Sequence, residues 1–200
     1  MAYKYLTGVG KIYYSVVDAT TGEFGACKLL SDDVTEFGMS PKQDIKPLYG
    51  SDVEKAKIKS AKTADITISV NGIETSILAE LTGQVALVGG GVADGGGDCP
   101  YVALQVELNQ TGGATQYLTL FKGQFSDVEL KAKTKTESGA EVQVLTLIGA
   151  FVAKEAVGDF IEPQLKTIVS SIDVGFVSAD YVGASKKWGT SIIIPVKKTV

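Results

Sequence analysis

Between Tyr101 and Val152 the chain alternates apolar and polar residues over long runs separated by polar turns, a pattern that confines it to antiparallel sheet. Val102, Leu104, Val106 and Leu108 alternate with Ala103, Gln105 and Glu107, so one strand face is buried and the other is wetter. Gln110-Thr111-Gly112-Gly113-Ala114 supplies a turn, because glycine accepts the positive φ that a hairpin loop demands. Leu118 and Leu120 carry a second strand. Val128 to Thr134 forms a third run, with its lysines and Glu129 on one side and its apolar residues on the other. Lys135-Thr136-Glu137-Ser138-Gly139 turns the chain again. The returning apolar positions are Val142 and Val144, then Leu145 and Leu147, one residue out of phase, which predicts a β-bulge near Val144.

Such a sheet contains no reactive site, and the residues that are missing narrow the chemistry further. The chain has no histidine, and all 19 basic residues are lysine. Without histidine it lacks the usual general base and zinc ligand, and without arginine it lacks the planar fork that grips phosphates and carboxylates. A catalytic triad, zinc chemistry and sequence-specific DNA readout are therefore not expected, and the chain is read as a non-enzyme without cofactor or metal. A net charge of −4 disfavours nucleic-acid binding. At 200 residues the chain fits one domain able to bury a real core. No apolar run reaches the length of a membrane span, and Met1-Ala2-Tyr3-Lys4-Tyr5 lacks a signal peptide's apolar core, so folding in a cytosol is the expectation. Cys27 and Cys99 agree with reduced thiols there.

From the start of the chain, Lys11 to Val17 is an aromatic and β-branched run, Asp18-Ala19-Thr20-Thr21-Gly22 is a turn, and a hairpin partner follows in Phe24 to Leu30. From Asp32 to Lys62 the pattern weakens: Gly38, Pro41, Pro47 and Gly50 punctuate a polar stretch with isolated Met39, Ile45, Leu48 and Tyr49. Its length marks it as disordered or binding, and the recurring apolar residues favour a binding loop. Ala64 to Val70 alternates as a strand. Asn71 then stands as N-cap with Glu74 three residues on, Ile73, Ile77, Leu78 and Leu81 share one face, and Gly83 closes a helix of about 72–82.

The glycine-rich run Gly89 to Asp98 fails as a dinucleotide loop, since Asp94 stands where the last glycine belongs and a strand follows. Asp94 and Asp98 alone fall short of a calcium ligand set, which leaves a flexible connector. Toward the end, Ile172, Val174 and Phe176 alternate, and Ile192-Ile193-Ile194-Pro195-Val196 suits an edge or strand end. Trp188 reads as a core or rim anchor before a ligand platform. Lys186-Lys187 and Lys197-Lys198 read as solvated edge charges before a nucleic-acid patch.

The order of elements resembles the major tail tube protein family of phages with long, non-contractile tails. The resemblance rests on Gly8 to Val17, Leu48-Tyr49-Gly50-Ser51-Asp52, Ala64 to Gly83, Tyr101 to Leu108, and Thr134-Lys135-Thr136-Glu137 with Val142 to Leu147. It covers roughly residues 1–155, leaving 156–200 to complete or decorate the same domain. It implies a mainly β fold, a β-sandwich or partly rolled sheet with one short helix and an extended stacking loop at about 32–62. It also implies hexameric rings that stack into a hollow virion tail tube, assembled in the host cytoplasm with tape-measure, tail-tip and tail-terminator proteins, through which DNA passes without specific binding. Interface candidates are then Met39, Ile45, Leu48, Tyr49 and Asp52, and lumen candidates are Glu129, Glu137 and Glu141, whose acids would repel phosphate over about 8–10 Å. A carbohydrate-binding β-sandwich and a tube subunit of a contractile or secretion machine are the competing readings.

Overall fold

A computed structural model describes residues 5–50, 53–60, 63–89, 92–93, 98–113, 115–130, 144–152, 154–156, 159–161, 164–167 and 188–192. In chain order the elements are β1 (Leu6–Val16), β2 (Lys28–Ser31), β3 (Val34–Lys42), β4 (Ile45–Gly50), β5 (Val53–Lys59), β6 (Thr63–Val70) and α1 (Thr75–Thr82). They continue with β7 (Val85–Ala86), β8 (Val92–Ala93), β9 (Val102–Gln110), β10 (Thr115–Leu130), β11 (Leu145–Val152), β12 (Lys154–Ala156), β13 (Asp159–Ile161) and β14 (Gln164–Thr167). The protein is mainly β with one short helix, as the alternation predicts.

The principal sheet runs β2-β1-β9-β10-β11-β6-β3, with β14 also paired to β10. Strand β10 holds it together. Its first part, Thr115 to Gly123, pairs with β9, and its second, Gly123 to Leu130, pairs with β11. The two runs read from the sequence as separate strands are thus one strand of 16 residues. The register slips between Leu120 and Gly123 against β9 and between Phe125 and Asp127 against β11, and such bulges bend and twist a strand. The bulge expected on the partner, near Val144, would involve residues 142–143, which lie outside the described residues. From Leu145 onward β11 pairs with β6 without a slip.

The bends bring the two ends of the sheet together over one core. Ile12 and Tyr14 of β1, Leu30 of β2, Ile66 and Ile68 of β6, Leu104 and Val106 of β9, and Phe125, Leu147 and Phe151 are all buried in it. Phe37 and Met39 of β3 pack against the same cluster, partly buried. Strands β2 and β3 do not pair with each other among the described residues, so the roll stays open. At the corner, each phenylalanine lies opposite a glycine: Gly123 pairs with Phe151 and Gly149 with Phe125. The two rings meet edge to face at 6.2 Å.

The described residues of the segment at 32–62 are extended, as expected, and they are also paired. Residues Val34 to Lys42 form β3 against β6, and β4 and β5 make a hairpin of their own. Period-2 apolar signal is weak in β3 because it is an edge strand with only its inner side on the core. The helix begins three residues later than 72, at Thr75, and the expected capping box does not form. Instead the Asn71 side chain donates to Asp33 Oδ1 at 2.9 Å and its backbone N–H to the Asp33 carbonyl at 3.2 Å. The turn joining β2 to β3 therefore captures the residue read as N-cap, and Glu74 takes that position without a side-chain cap. The other end is as expected, with Gly83 in the left-handed region at φ 71°.

Leu81 is fully buried, and Ile73, Ile77 and Leu78 pack beside it on the core. A polar bridge fixes the helix laterally. Tyr14 donates to Glu80 Oε2 at 2.6 Å, and Lys28 Nζ reaches both Glu80 oxygens at 2.6 and 2.8 Å. Partial burial pushes the Glu80 carboxyl up, but the Lys28 and Tyr14 hydrogen bonds and the Lys28 charge outweigh it and hold the carboxyl below its ordinary value. A lowered carboxyl contributes stability above the ordinary carboxylate range and loses it as pH falls through the lowered value. Glu80→Gln is expected to cost about 1 kcal/mol at pH 7. That difference shrinks toward zero below about pH 4. Urea unfolding at both pH values checks it, and a pH-independent difference would rule out the carboxylate as the cause.

Candidate self-assembly surface

The hairpin of β4 and β5 stands off the body of the protein. It pairs with no other strand among the described residues, and every described side chain from Gln43 to Tyr49 and from Lys55 to Ser60 is exposed. Its base is fixed by a clasp: Ser60 N–H donates to the Asp44 carbonyl at 2.8 Å, Asp44 N–H to Ser60 Oγ at 2.9 Å, and Gln43 Nε2 to the Ser60 carbonyl at 3.1 Å. What projects beyond the clasp is apolar to an unusual degree, with Ile45, Leu48, Tyr49, Val53 and Ile58 each 50–64% exposed.

The register sorts these side chains onto two faces, because directly paired residues share a face. Lys46 opposite Ile58, Leu48 opposite Ala56, and Val53 beyond the slip at Leu48/Tyr49 make one face. Ile45 opposite Lys59, Pro47 opposite Lys57, and Tyr49 make the other. The first face is a continuous aliphatic stripe with a lysine at its base, and the second mixes apolar residues with two lysines. From Lys42 to Lys62 the sequence holds six lysines against three acids, a local charge of +3 on a chain whose net charge is −4. A basic, apolar arm therefore projects from an acidic body.

The two halves of the main sheet are treated differently on their outer side. Over β1, β9 and β10 the segment at 188–192 covers the sheet. The Trp188 ring packs on Tyr117 at 4.6 Å, and Ile192 joins Val17, Ala103 and Phe121 in a second apolar cluster. Buried Gln105 stitches this cover down, donating to the Ser191 carbonyl at 3.0 Å and accepting from Gly189 N–H at 3.0 Å. Trp188 is thus an anchor between layers. Over β11, β6 and β3 no described segment covers the outer side, which is mostly polar, with Ile148 and Val152 as its exposed apolar residues. Its cross-strand rows run Thr146, Ser69, Glu36; then Ile148, Thr67, Gly38; then Ala150, Asp65, Ser40; then Val152, Thr63, Lys42. Lys42 bridges to Asp65, and the Ser69 and Thr146 hydroxyls meet at 3.3 Å.

Ile45, Leu48 and Tyr49, read from the sequence as interface residues, all lie on the arm. Met39 does not: it sits on β3 opposite Ile66 and packs against the core. Asp52 lies outside the described residues. Among the lumen candidates, Glu129 is exposed on β10, beside Thr146 at the border of this mostly polar face. Glu137 and Glu141 lie outside the described residues. Sequence reading passed over Val53 and Ile58. The signal was present in Lys55-Ala56-Lys57-Ile58-Lys59, which alternates with period 2.

Reactive chemistry is sparse here. Cys27 and Cys99 are free thiols, and burial pushes the Cys27 thiol up to about 11, far from a thiolate at neutral pH. Asp94, weighed as a calcium ligand, lies outside the described residues. No helix among the described residues is long and apolar enough to cross a membrane.

No protein-family model matches the chain, and no curated protein matches it. Solved structures that resemble it include a chain of the anti-feeding prophage (AFP) baseplate, determined by cryo-electron microscopy with 6-fold symmetrisation. The two are 7% identical with a TM-score of 0.42, over 84% of this chain and 100% of that one.

Proposed function

We propose that this protein is a structural subunit of a phage-type tail, and that its copies form rings that stack through the β4–β5 arm into a hollow tube. The observation that carries the proposal is the arm itself. Five large apolar side chains at 50–64% exposure, on a hairpin with no partner strand among the described residues, are a liability in a monomer, and a partner surface removes it. The outer edges of β2 and β3, unpaired among the described residues, supply a second kind of contact, since side-by-side copies can extend the sheet from edge to edge.

The outer face of β11, β6 and β3 then suits a channel wall. Its threonines, serines and alanine are short and uncharged, Ile148 and Val152 are its larger apolar residues, and Glu36, Asp65, Lys42 and Glu129 are spaced among them. The chain has no arginine to clamp a phosphate and no histidine, so such a wall lets DNA slide without gripping it. The sequence resemblance to tail tube proteins supports the same reading, and a role in catalysis forms no part of it.

Purified chain concentrated to the millimolar range is expected to form rings and tubes with a continuous central channel, visible by negative-stain electron microscopy. A strictly monomeric chain at that concentration would refute the proposal.

A further inference from the structure

A groove on the body complements the arm in apolar character and charge. It has a volume of about 370 Å³ and lies between the β2–β3 turn and the entrance to α1, lined by Leu29, Ile73 and Ile77 with Asp32 and Glu74. Leu29 is 40% exposed there, so the apolar floor is open to solvent. Asp32 and Glu74 are both exposed, and Glu36 is exposed just beyond on β3. Among the described residues, no lysine lines the groove. Its walls are held in place by the Asn71–Asp33 pair and by the Asp33 N–H bond to Ser31 Oγ at 3.1 Å, which makes it a preformed receptor.

The arm carries the complementary features: the stripe of Leu48, Val53, Ala56 and Ile58, with lysines at 46, 55, 57 and 59 around it. Topology decides whose groove it fills. The groove sits where β3 begins and β6 ends, at the Val34↔Val70 pair, and the arm springs from the opposite end, at Lys42↔Thr63. Along the strand those ends are about 27 Å apart, so the arm leaves the body on the side away from its own groove. A donor at one end of a strand pair and a receptor at the other make a heterologous contact, which repeats head to tail along the strand direction.

We infer that the β4–β5 arm of one copy docks in the Leu29–Ile73–Ile77 groove of the next copy, with its lysines against Asp32 and Glu74. The inference rests on the stacking reading above and names the receptor for it. Apolar contact supplies the affinity, and the charges set the register and the approach.

Two measurements on the full-length chain test it. Asp32→Lys with Glu74→Lys is expected to raise the concentration needed for assembly at least about tenfold at low salt, and adding Lys46→Glu with Lys57→Glu to the same chain should recover most of that loss. Separately, chains carrying Leu48→Cys and chains carrying Ile77→Cys are mixed under mild oxidation, and a disulfide is expected between the two kinds of chain that neither forms alone. Tubes that ignore the charge reversal and give no mixed disulfide overturn the groove while leaving the tube standing. A mixed disulfide in a chain that never forms tubes supports the groove contact and overturns the tube. Neither tubes nor mixed disulfide overturns both.

Discussion

Gly123→Ala is expected to destabilise the protein by about 3 kcal/mol, and a Phe151→Ala background is expected to remove most of that cost. A Cβ on Gly123 would stand well inside contact distance of the Phe151 ring. The ring has nowhere to retreat, because Phe151 is fully buried and its far edge meets Phe125. Across the same ladder a Cβ on Gly149 would come within 2.8 Å of the Gln124 carbonyl oxygen and 2.9 Å of the Phe125 ring. Each aromatic ring thus lies flat over the other strand's glycine, at the point where β10 passes from β9 to β11. Phe151→Ala alone should cost about 3–5 kcal/mol as a cavity. In the double variant the alanine methyl enters that cavity, so the two costs fall short of their sum. Thermal unfolding reads the effect as a fall of about 6–12 °C for Gly123→Ala. A cost for Gly123→Ala that is the same with and without the Phe151 ring would show that the ring contact is not its origin.

That corner also shows where sequence reading stops. Alternation in Val102 to Leu108 and in Ala64 to Val70 announced central strands, since a strand that buries its larger apolar residues on one face writes them into every second position. The wetter face expected on β9 is not found at Ala103 and Gln105, which are fully buried beneath the 188–192 segment. Ile73, Ile77, Leu78 and Leu81 announced the inner face of the helix in the same way. Gly123 and Gly149 carry no such signal, because a glycine needed to seat a ring across the ladder looks like any other glycine until the register is known. Asn71 misled for a related reason. Its local spacing to Glu74 fits a cap, but the long-range pair with Asp33 competes for the same side chain and wins. For the candidate site, the apolar residues of the arm were legible at Ile45, Leu48 and Tyr49. The strand pairing that lifts them off the body was not, as prolines and polar residues on an unshared hairpin blur the period. The receptor groove was not legible, because Leu29, Asp32, Ile73 and Glu74 come from segments some forty residues apart that long-range contacts, the β3–β6 pairing and the Asn71–Asp33 pair among them, bring together.

Leu48→Asp combined with Ile58→Asp is expected to abolish self-assembly while leaving the fold intact. Both side chains are half exposed or more, at 50% and 58%, on a hairpin that pairs with no further strand among the described residues. Changes at such positions ordinarily alter folding stability by about 0.5 kcal/mol or less. In an assembled state the same two residues lie side by side on the aliphatic stripe, next to Ala56 and Val53. A carboxylate there must be desolvated against an apolar floor, and on docking it would meet the acids Asp32 and Glu74 instead of presenting a neutral surface to them. Two anchors losing about 2 kcal/mol each weaken one contact roughly a thousandfold. The loss recurs at every junction of a repeating array, so tubes should disappear over any accessible concentration range. Sedimentation velocity and circular dichroism on the same sample separate the two effects: a folded, monomeric variant is the expected result. Ala19→Asp, on the exposed turn after β1, is the matched control and should assemble like the parent chain. If the double variant still forms tubes, the arm is not the stacking element. Ring-to-ring contact would then have to come from another part of the chain.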